Sequence, residues 1–261
     1  MKKFERLERL IGTINVCKLS KSTIAIVGCG GVGGYVIEAL ARSNVGNLIL
    51  IDYDEVTPSN CNRQLIATDM TIGKKKVNCW KERINSINPS CQVTAIKDKL
   101  SEENIKDIIP TATDFIIDAC DDINAKLAII NYSLQNKIPC ISSMGTGNRL
   151  DPSYLKITTL DKTYNDPLAK VMRQKVKQAK INGKIMVCTS TELPIKTKDK
   201  VIALIDTGVS EHENVIGHVS LIDDNLTGNL HGDTMVKDIV EQNENAKILS
   251  IKALDDTGYG T

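Results

Sequence analysis

The sequence predicts a doubly wound α/β fold: a mostly parallel sheet with helices packed on both faces. Two observations carry that expectation. Short uninterrupted apolar runs alternate with helical patterns through residues 24–143, and strands buried on both faces read as continuous apolar runs. The first run, 24–27, breaks into Gly28, Gly30, Gly31, Gly33 and Gly34 before a helical stretch and a second run, 48–51, that ends at Asp52. A third observation sets the domain organisation. Residues 201–261 hold three Lys, no Arg and eleven Asp or Glu, a net charge of −8, which leaves +9 on residues 1–200 for a chain total of +1. All three histidines are in that tail and all eight cysteines lie outside it. The shift predicts a domain over 1–196, a linker over 197–200 and a second part over 201–261.

The elements follow in order. Residues 4–11 read as a short helix with Leu7, Leu10 and Ile11 on one face, flanked by Arg6 and Arg9. The GxGxxG spacing falls on Gly28, Gly30 and Gly33. Such glycines allow a sharp strand-to-helix turn and let backbone N–H groups approach a phosphate at the helix N-terminus. Asp52 stands 19 residues past Gly33, where a carboxylate can accept hydrogen bonds from a ribose diol. The pattern points to a nucleotide without naming it. Beyond the second strand, Pro58, Ser59 and Asn60 predict a turn. Asn60, Arg63 and Gln64 then cluster past a strand's carboxyl end, where doubly wound sheets bind ligands.

Lys74, Lys75 and Lys76 lead into a helix over 77–87 that Asn88 and Pro89 stop. That run reads either as solvated charge or as a reach toward a polyphosphate. A strand over 91–97 and a helix over 101–109, capped by Ser101, come next. The strand 115–118 delivers Asp121, as a helix N-cap or as a Mg²⁺ ligand. A helix over 123–136 and a strand over 138–143 complete the repeat, and right-handed crossovers make the sheet parallel. Then come a Gly145-Thr146-Gly147 loop, a strand over 155–160, a Lys- and Arg-rich helix from 166 to about 180, and a strand over 184–188. The tail predicts a strand over 201–206, a helix from about 232 and a strand over 246–253.

Composition narrows the class. With 41% apolar and 25% charged residues, the chain is an ordinary globular sequence. No apolar run approaches a membrane span, and MKKFERLERL lacks a signal-peptide core. The cysteines at 17, 29, 61, 79, 91, 120, 140 and 188 form no CxxC pair. Reduced, mostly buried thiols in a cytoplasmic protein fit that pattern better than a disulfide framework.

Several segments carry a family resemblance: FERLERLIG, GCGGVGGYVIEALARSNVGNLILIDYDEV, NCNRQ, TIGKKKV, KERINSINP, IDACDD, NKIPCISSMGTGNRLDP, KTYNDPLAKVMR and STELPIK. Over residues 1–196 the chain resembles the ThiF/MoeB/ubiquitin-activating superfamily of ATP-dependent adenylating enzymes, with a Rossmann-like sheet. Within it, the chain is most similar to the dehydratases that act on threonylcarbamoyladenosine in tRNA. The resemblance implies ATP and Mg²⁺, with Gly28, Gly30 and Gly33 lining the nucleotide and Asp52 taking the ribose hydroxyls. It places Asn60, Arg63, Gln64 and Lys76 around the phosphates, and Asp121 on Mg²⁺. It also implies a homodimer in which Arg6, or failing it Arg9, reaches across to the partner's γ-phosphate. The expected partner is tRNA carrying threonylcarbamoyladenosine.

The tail resembles the start of a subtilisin-like serine protease. Asp206-Thr207-Gly208 matches the motif around the catalytic Asp. His231-Gly232 matches that around the catalytic His, with Asp233 where Thr is usual. This part is therefore expected to be an incomplete α/β subtilisin-like fragment. No nucleophile motif precedes Thr261, and a triad without its Ser has no acyl-transfer chemistry. The dehydratases' GSxxFVP-like segment and final helix are likewise not matched, so the sheet is expected to lack its last strand and helix.

Three alternatives accompany the adenylating dehydratase. One is an adenylating enzyme for the C-terminus of a sulfur-carrier or ubiquitin-like protein, with a sulfur-transfer partner. Another is a non-catalytic nucleotide-binding fusion. The last is an NAD-dependent oxidoreductase, which shares the glycine fingerprint but gives no reason for Arg63, Lys76 and Asp121 to converge.

Overall fold

The computed structural model describes residues 3–194, 201–206, 212–220, 231–242 and 247–252. The expected linker at 197–200 lies outside them. The chain divides into two units, Met1–Leu193 and Pro194–Thr261.

In the first unit, helices α1 (Glu5–Ile11) and α2 (Thr13–Leu19) precede a seven-stranded sheet. Its strands are β1 (Thr23–Val27), β2 (Asn47–Ile51), β3 (Gln92–Ile96), β4 (Phe115–Asp118), β5 (Cys140–Ser143), β6 (Leu155–Thr159) and β7 (Met186–Ser190). Their order is β3-β2-β1-β4-β5-β7-β6. All neighbours run parallel except β6, which pairs antiparallel with β7. Helices α3 (Gly33–Arg42), α4 (Lys76–Ile87), α5 (Ile105–Ile108), α6 (Ile123–Asn136) and α7 (Pro167–Gln178) connect the strands. The second unit pairs β8 (Val201–Asp206), β9 (Val215–Ser220) and β10 (Lys247–Lys252) as a parallel sheet in the order β8-β10-β9, with α8 (His231–Gln242) before β10.

The apolar strands divide their side chains between two cores. Ile24, Ile26, Leu48 and Leu50 pack with Ile37, Ala41, Trp80 and Ile84 of α3 and α4. Ala25, Val27, Ile49 and Ile51 pack on the opposite face with Ile105, Ile109, Ile129 and Tyr132. Successive strand residues point to opposite faces, so both faces of β1 and β2 must be apolar. A third cluster, with Met144, Leu160, Ala169, Met172 and Val187, seats α7.

Some elements differ from the sequence expectation. The helix over 101–109 shrinks to α5, and Ser101 is not its cap. The Asn104 side chain instead bonds the Ser101 N–H and the Lys99 carbonyl, a local turn that competes with helix. Gly12, at φ +83°, interrupts the N-terminal helical stretch, and α2 follows it unforeseen. β9 was also unforeseen, because Gly217 and His218 break its apolar run. All eight cysteines are free. Among the described residues no helix is long and apolar enough to cross a membrane.

One buried ion pair joins β4, β5 and α6 beneath the carboxyl ends of the strands. Lys126 and Asp118 are both fully buried. The Lys126 ammonium donates to both Asp118 oxygens, at 3.2 and 3.0 Å, and to the Ser143 carbonyl at 2.6 Å. Ser142 Oγ also donates to Asp118. Removing one partner of such a pair strands a charge in the interior. Lys126→Met should cost about 3–5 kcal/mol of unfolding free energy, read from chemical denaturation. Adding Asp118→Asn should recover part of that loss, because the stranded charge goes with it. A single variant within about 1 kcal/mol of the parent would contradict this role.

Candidate functional site

The glycine turn forms because no side chain fits there. Gly28 has φ +88°, and a Cβ on it would stand 2.6 Å from the Ala119 carbonyl oxygen. A Cβ on Gly33 would lie 1.8 Å from the Gly28 carbonyl oxygen, and one on Gly34 would lie 2.8 Å from Trp80. The Trp80 indole N–H donates to the Cys29 carbonyl at 2.9 Å, so α4 braces the turn from below.

Asp52 holds the turn from the side. One of its oxygens accepts from the Cys29 N–H at 2.7 Å, the other from the Asp54 N–H at 2.9 Å. Burial pushes its carboxyl above the usual range, against those two hydrogen bonds and the nearby Lys76. Each carboxylate oxygen has two lone pairs, so acceptor capacity remains.

A cavity of about 770 Å³ opens at the carboxyl ends of the strands. Gly28, Gly30, Asp52, Asn60, Arg63, Gln64, Lys76 and Asp121 all line it. Gly33 does not; it serves the turn's closure instead. Arg6 is exposed on α1 and does not line the cavity, and Arg9 pairs with Glu5 on the same helix.

Each lining side chain has a local anchor. Asn60 Oδ1 accepts from the Thr57 N–H at 3.1 Å and closes its own turn. The Arg63 guanidinium donates to the Ser59 carbonyl and to Asn62, leaving further N–H groups uncommitted. Gln64 is buried, and its Oε1 has no partner. A buried acceptor without a partner is costly, so a ligand donor or a water would relieve it. Lys76 begins α4 and pairs with Asp54 at 2.7 Å. Its ammonium stands at the positive end of that helix, and the Asp54 carboxylate offsets both.

Asp121 is exposed in the cavity wall, and it is not the cap of α6. Asp122 takes that role, accepting from the Asn124 and Ala125 N–H groups. Asp122 also pairs with Lys99 at 2.7 Å, and that bond first, with the Ala125 N–H, holds its carboxyl below the usual range. The neighbouring Cys120 thiol donates to Asp118 at 3.1 Å. Burial, then the Asp118 charge, pushes it far above the ordinary thiol range.

Sequence reasoning missed Asp54, Tyr53 and Lys99, all in the cavity wall. A signal existed for Asp54: in IDYD it stands two residues past Asp52, on the same side of the chain leaving β2. Lys99 gave none, because its place opposite Tyr53, 5.9 Å from the ring centre, depends on the turn after β3. The Asp206 and His231 side chains lie outside the described residues, and the structure lends the protease-like reading of the tail no support.

The ThiF family matches residues 4–226. A tRNA threonylcarbamoyladenosine dehydratase of Bacillus subtilis is 42% identical over 198 residues, 76% of this chain and 78% of that protein. One from Escherichia coli is 38% identical over 175 residues, 67% of this chain and 65% of that protein. Among solved structures, the E. coli tRNA N6-threonylcarbamoyladenosine dehydratase in complex with ATP aligns with a TM-score of 0.72 and 35% identity, covering 75% of this chain and 84% of that one.

The turn's steric demand is testable at one atom. Gly33→Ala forces a methyl into the Gly28 carbonyl and should cost about 1–3 kcal/mol of stability. Gly147→Ala meets nothing within 4 Å and should stay within about 0.5 kcal/mol of the parent. Equal thermal unfolding of both variants would contradict the closure described for Gly28 and Gly33.

Proposed function

The chain belongs to the ThiF family, and from that premise we propose that it is an ATP-dependent tRNA threonylcarbamoyladenosine dehydratase. One observation carries the reading most. A single cavity joins the glycine turn and Asp52 to two cations, Arg63 and Lys76, and to Asp121. The B. subtilis relative bears the same activity in its name, and the E. coli one was solved with ATP.

The chemistry follows from the leaving group. A carboxylate oxygen leaves poorly. Attack of that oxygen on the α-phosphorus of ATP expels pyrophosphate and gives an acyl-adenylate. The substrate's own carbamoyl group then attacks the acyl carbon, loses its proton and expels AMP, which carries away one carboxylate oxygen. A ring closes without a protein nucleophile. Cys120, the thiol in the cavity wall, suits that route because its S–H is engaged with Asp118 at 3.1 Å, and thiolate is the reactive form. A thioester route to a sulfur carrier would need the opposite.

The residues take roles from their places. The Gly28 turn seats the nucleotide against the start of α3. Asp52 offers its remaining lone pairs to the ribose, and Gln64 Oε1 accepts a donor from the ligand. Arg63 and Lys76 neutralise charge developing on the phosphates, as oriented cations do in a desolvated site. Asn60 lies beside them.

Mg²⁺ fits as an ion carried in by the phosphates. Among the described residues no group of three or more His, Cys, Asp or Glu could hold a metal alone, and Mg²⁺ characteristically takes one or two carboxylates plus phosphate oxygens. Asp121 is the carboxylate placed for it, and the ion would screen the phosphate charge.

The working form is a homodimer. No residue of α1 or α2 is buried, and Leu10 and Ile14 are 81% and 74% exposed. A second copy would cover them and bring Arg6 toward the neighbouring cavity. We place the enzyme in the cytoplasm, with its thiols reduced. No catalytic role falls to Asp206 or His231.

Asp121→Asn keeps the α6 cap, which Asp122 supplies, and should abolish tRNA-dependent pyrophosphate release with the fold intact. Arg6→Ala should do the same across the dimer. Mixing the two variants should then restore activity in one site of each mixed dimer. Full activity of Asp121→Asn across a Mg²⁺ titration would remove Asp121 from the site. Absence of rescue in verified mixed dimers would remove Arg6.

A further inference from the structure

The stretch from 162 to 184 differs in charge from the rest of the first unit. Lys162, Lys170, Lys175, Lys177, Lys180 and Lys184 are all exposed. None has an ion-pair partner among the described residues. Its one carboxylate, Asp166, is buried and committed: it caps α7 through the Ala169 N–H and accepts from the Gly145 N–H and Thr189 Oγ1. Several bases elsewhere on the unit do sit against acids, as in Arg42 and Arg83 with Glu38, Lys97 with Glu55, and Lys99 with Asp122.

The face has a direction. Asp166 fixes the start of α7 to Gly145, just past the carboxyl end of β5, and Thr146 and Gly147 line the cavity. α7 buries Ala169 and Met172, which turns Lys170, Gln174 and Lys177 outward at i, i+4 and i+7. Its 12 residues run about 18 Å toward the opposite end of the sheet, where Lys180 and Lys184 continue the charge.

A second feature stands at the junction. Arg149 donates one nitrogen to the Asn165 carbonyl at 2.7 Å, while its Nε and Nη1 are buried with no partner. Buried donors without acceptors are costly, and a phosphate beside this guanidinium would offer it one.

We propose that this face, from Arg149 along α7 to Lys184, docks the ribose-phosphate backbone of the tRNA whose modified base enters the cavity. The inference rests on the dehydratase reading for the identity of the RNA. The pattern fits an RNA backbone in two respects. An unpaired row of lysines with no exposed acid between them supplies sequence-independent attraction to a polyanion, and it begins at the rim where the reacting base must sit.

Binding of an unmodified tRNA transcript tests the face without requiring the reaction. Lys170→Gln with Lys177→Gln should weaken binding about tenfold or more at low salt and reduce the slope of log Kd against log salt by about 2, one per lysine. Arg149→Gln should weaken it further. The same charge change at Lys81 and Lys106, exposed elsewhere on α4 and α5, should alter Kd less than twofold. In the modified-tRNA reaction the α7 pair should raise KM and leave kcat near the parent value, with an unchanged melting temperature. An unchanged Kd and salt slope in the α7 pair would overturn the proposal, as would an equal loss in the Lys81 and Lys106 pair. Displacement of the RNA by polyglutamate of equal charge, at equal potency, would overturn the assignment to RNA. Failure of the dehydratase reading would appear separately, as no pyrophosphate release from modified tRNA by a chain that still binds the transcript through α7.

Discussion

The Asp52 carboxylate is the interaction on which the site depends. It accepts from the Cys29 and Asp54 N–H groups, and so locks the turn after β1 to the segment leaving β2. Asp54 lines the cavity, and the Cys29 thiol adds a weaker link to the Ile51 carbonyl at 3.9 Å. Burial opposes the charge on Asp52, and its hydrogen bonds and Lys76 offset only part of that opposition. The carboxylate is thus a structural anchor whose remaining lone pairs face the cavity. The proposed ribose-binding role is added to a job the fold already requires.

The rest of the cavity is assembled on the same principle of anchors behind its charged groups. Trp80 supports the glycine turn, Asp54 orients Lys76, and the Asn60 side chain closes the turn that presents Arg63. Asp118 and Lys126 fix β4 to α6, and Asp122 caps that helix while Lys99 holds it. Asp121 is left between these fixed points with its charge directed to the cavity. Preorganisation of this kind lets a site stabilise developing charge without rearranging during the reaction.

The α/β order and the glycine turn were legible because they rest on local causes. Continuous apolar runs report strands buried on both faces, and β4 and α6 appeared at the expected bounds for that reason. Gly28, Asp52, Arg63, Gln64, Lys76 and Asp121 could be gathered because each follows a strand or turn at one end of the sheet. What escaped depended on partners distant in sequence. Nothing in the sequence marks Lys126 as the buried partner of Asp118. Asp121 and Asp122 are adjacent carboxylates, and only the helix start shows which one caps. Ser101 looked like a cap because the Asn104 turn that displaces it is made by side-chain hydrogen bonds. β9 was hidden by a glycine and a histidine within its run. The charge of α7 was visible in the sequence, but its alignment with the cavity rim required the bond between Asp166 and Gly145.

The central claim is that this cavity turns a carboxylate into a leaving group at the expense of ATP. Its most direct measurement is mass spectrometry of nucleosides from tRNA carrying threonylcarbamoyladenosine, after incubation with the full chain, ATP and Mg²⁺. The account predicts that threonylcarbamoyladenosine converts to a product lighter by one water, with one AMP and one pyrophosphate formed per conversion and none without ATP. Unchanged threonylcarbamoyladenosine, under conditions where the chain binds both ATP and the tRNA, would contradict it.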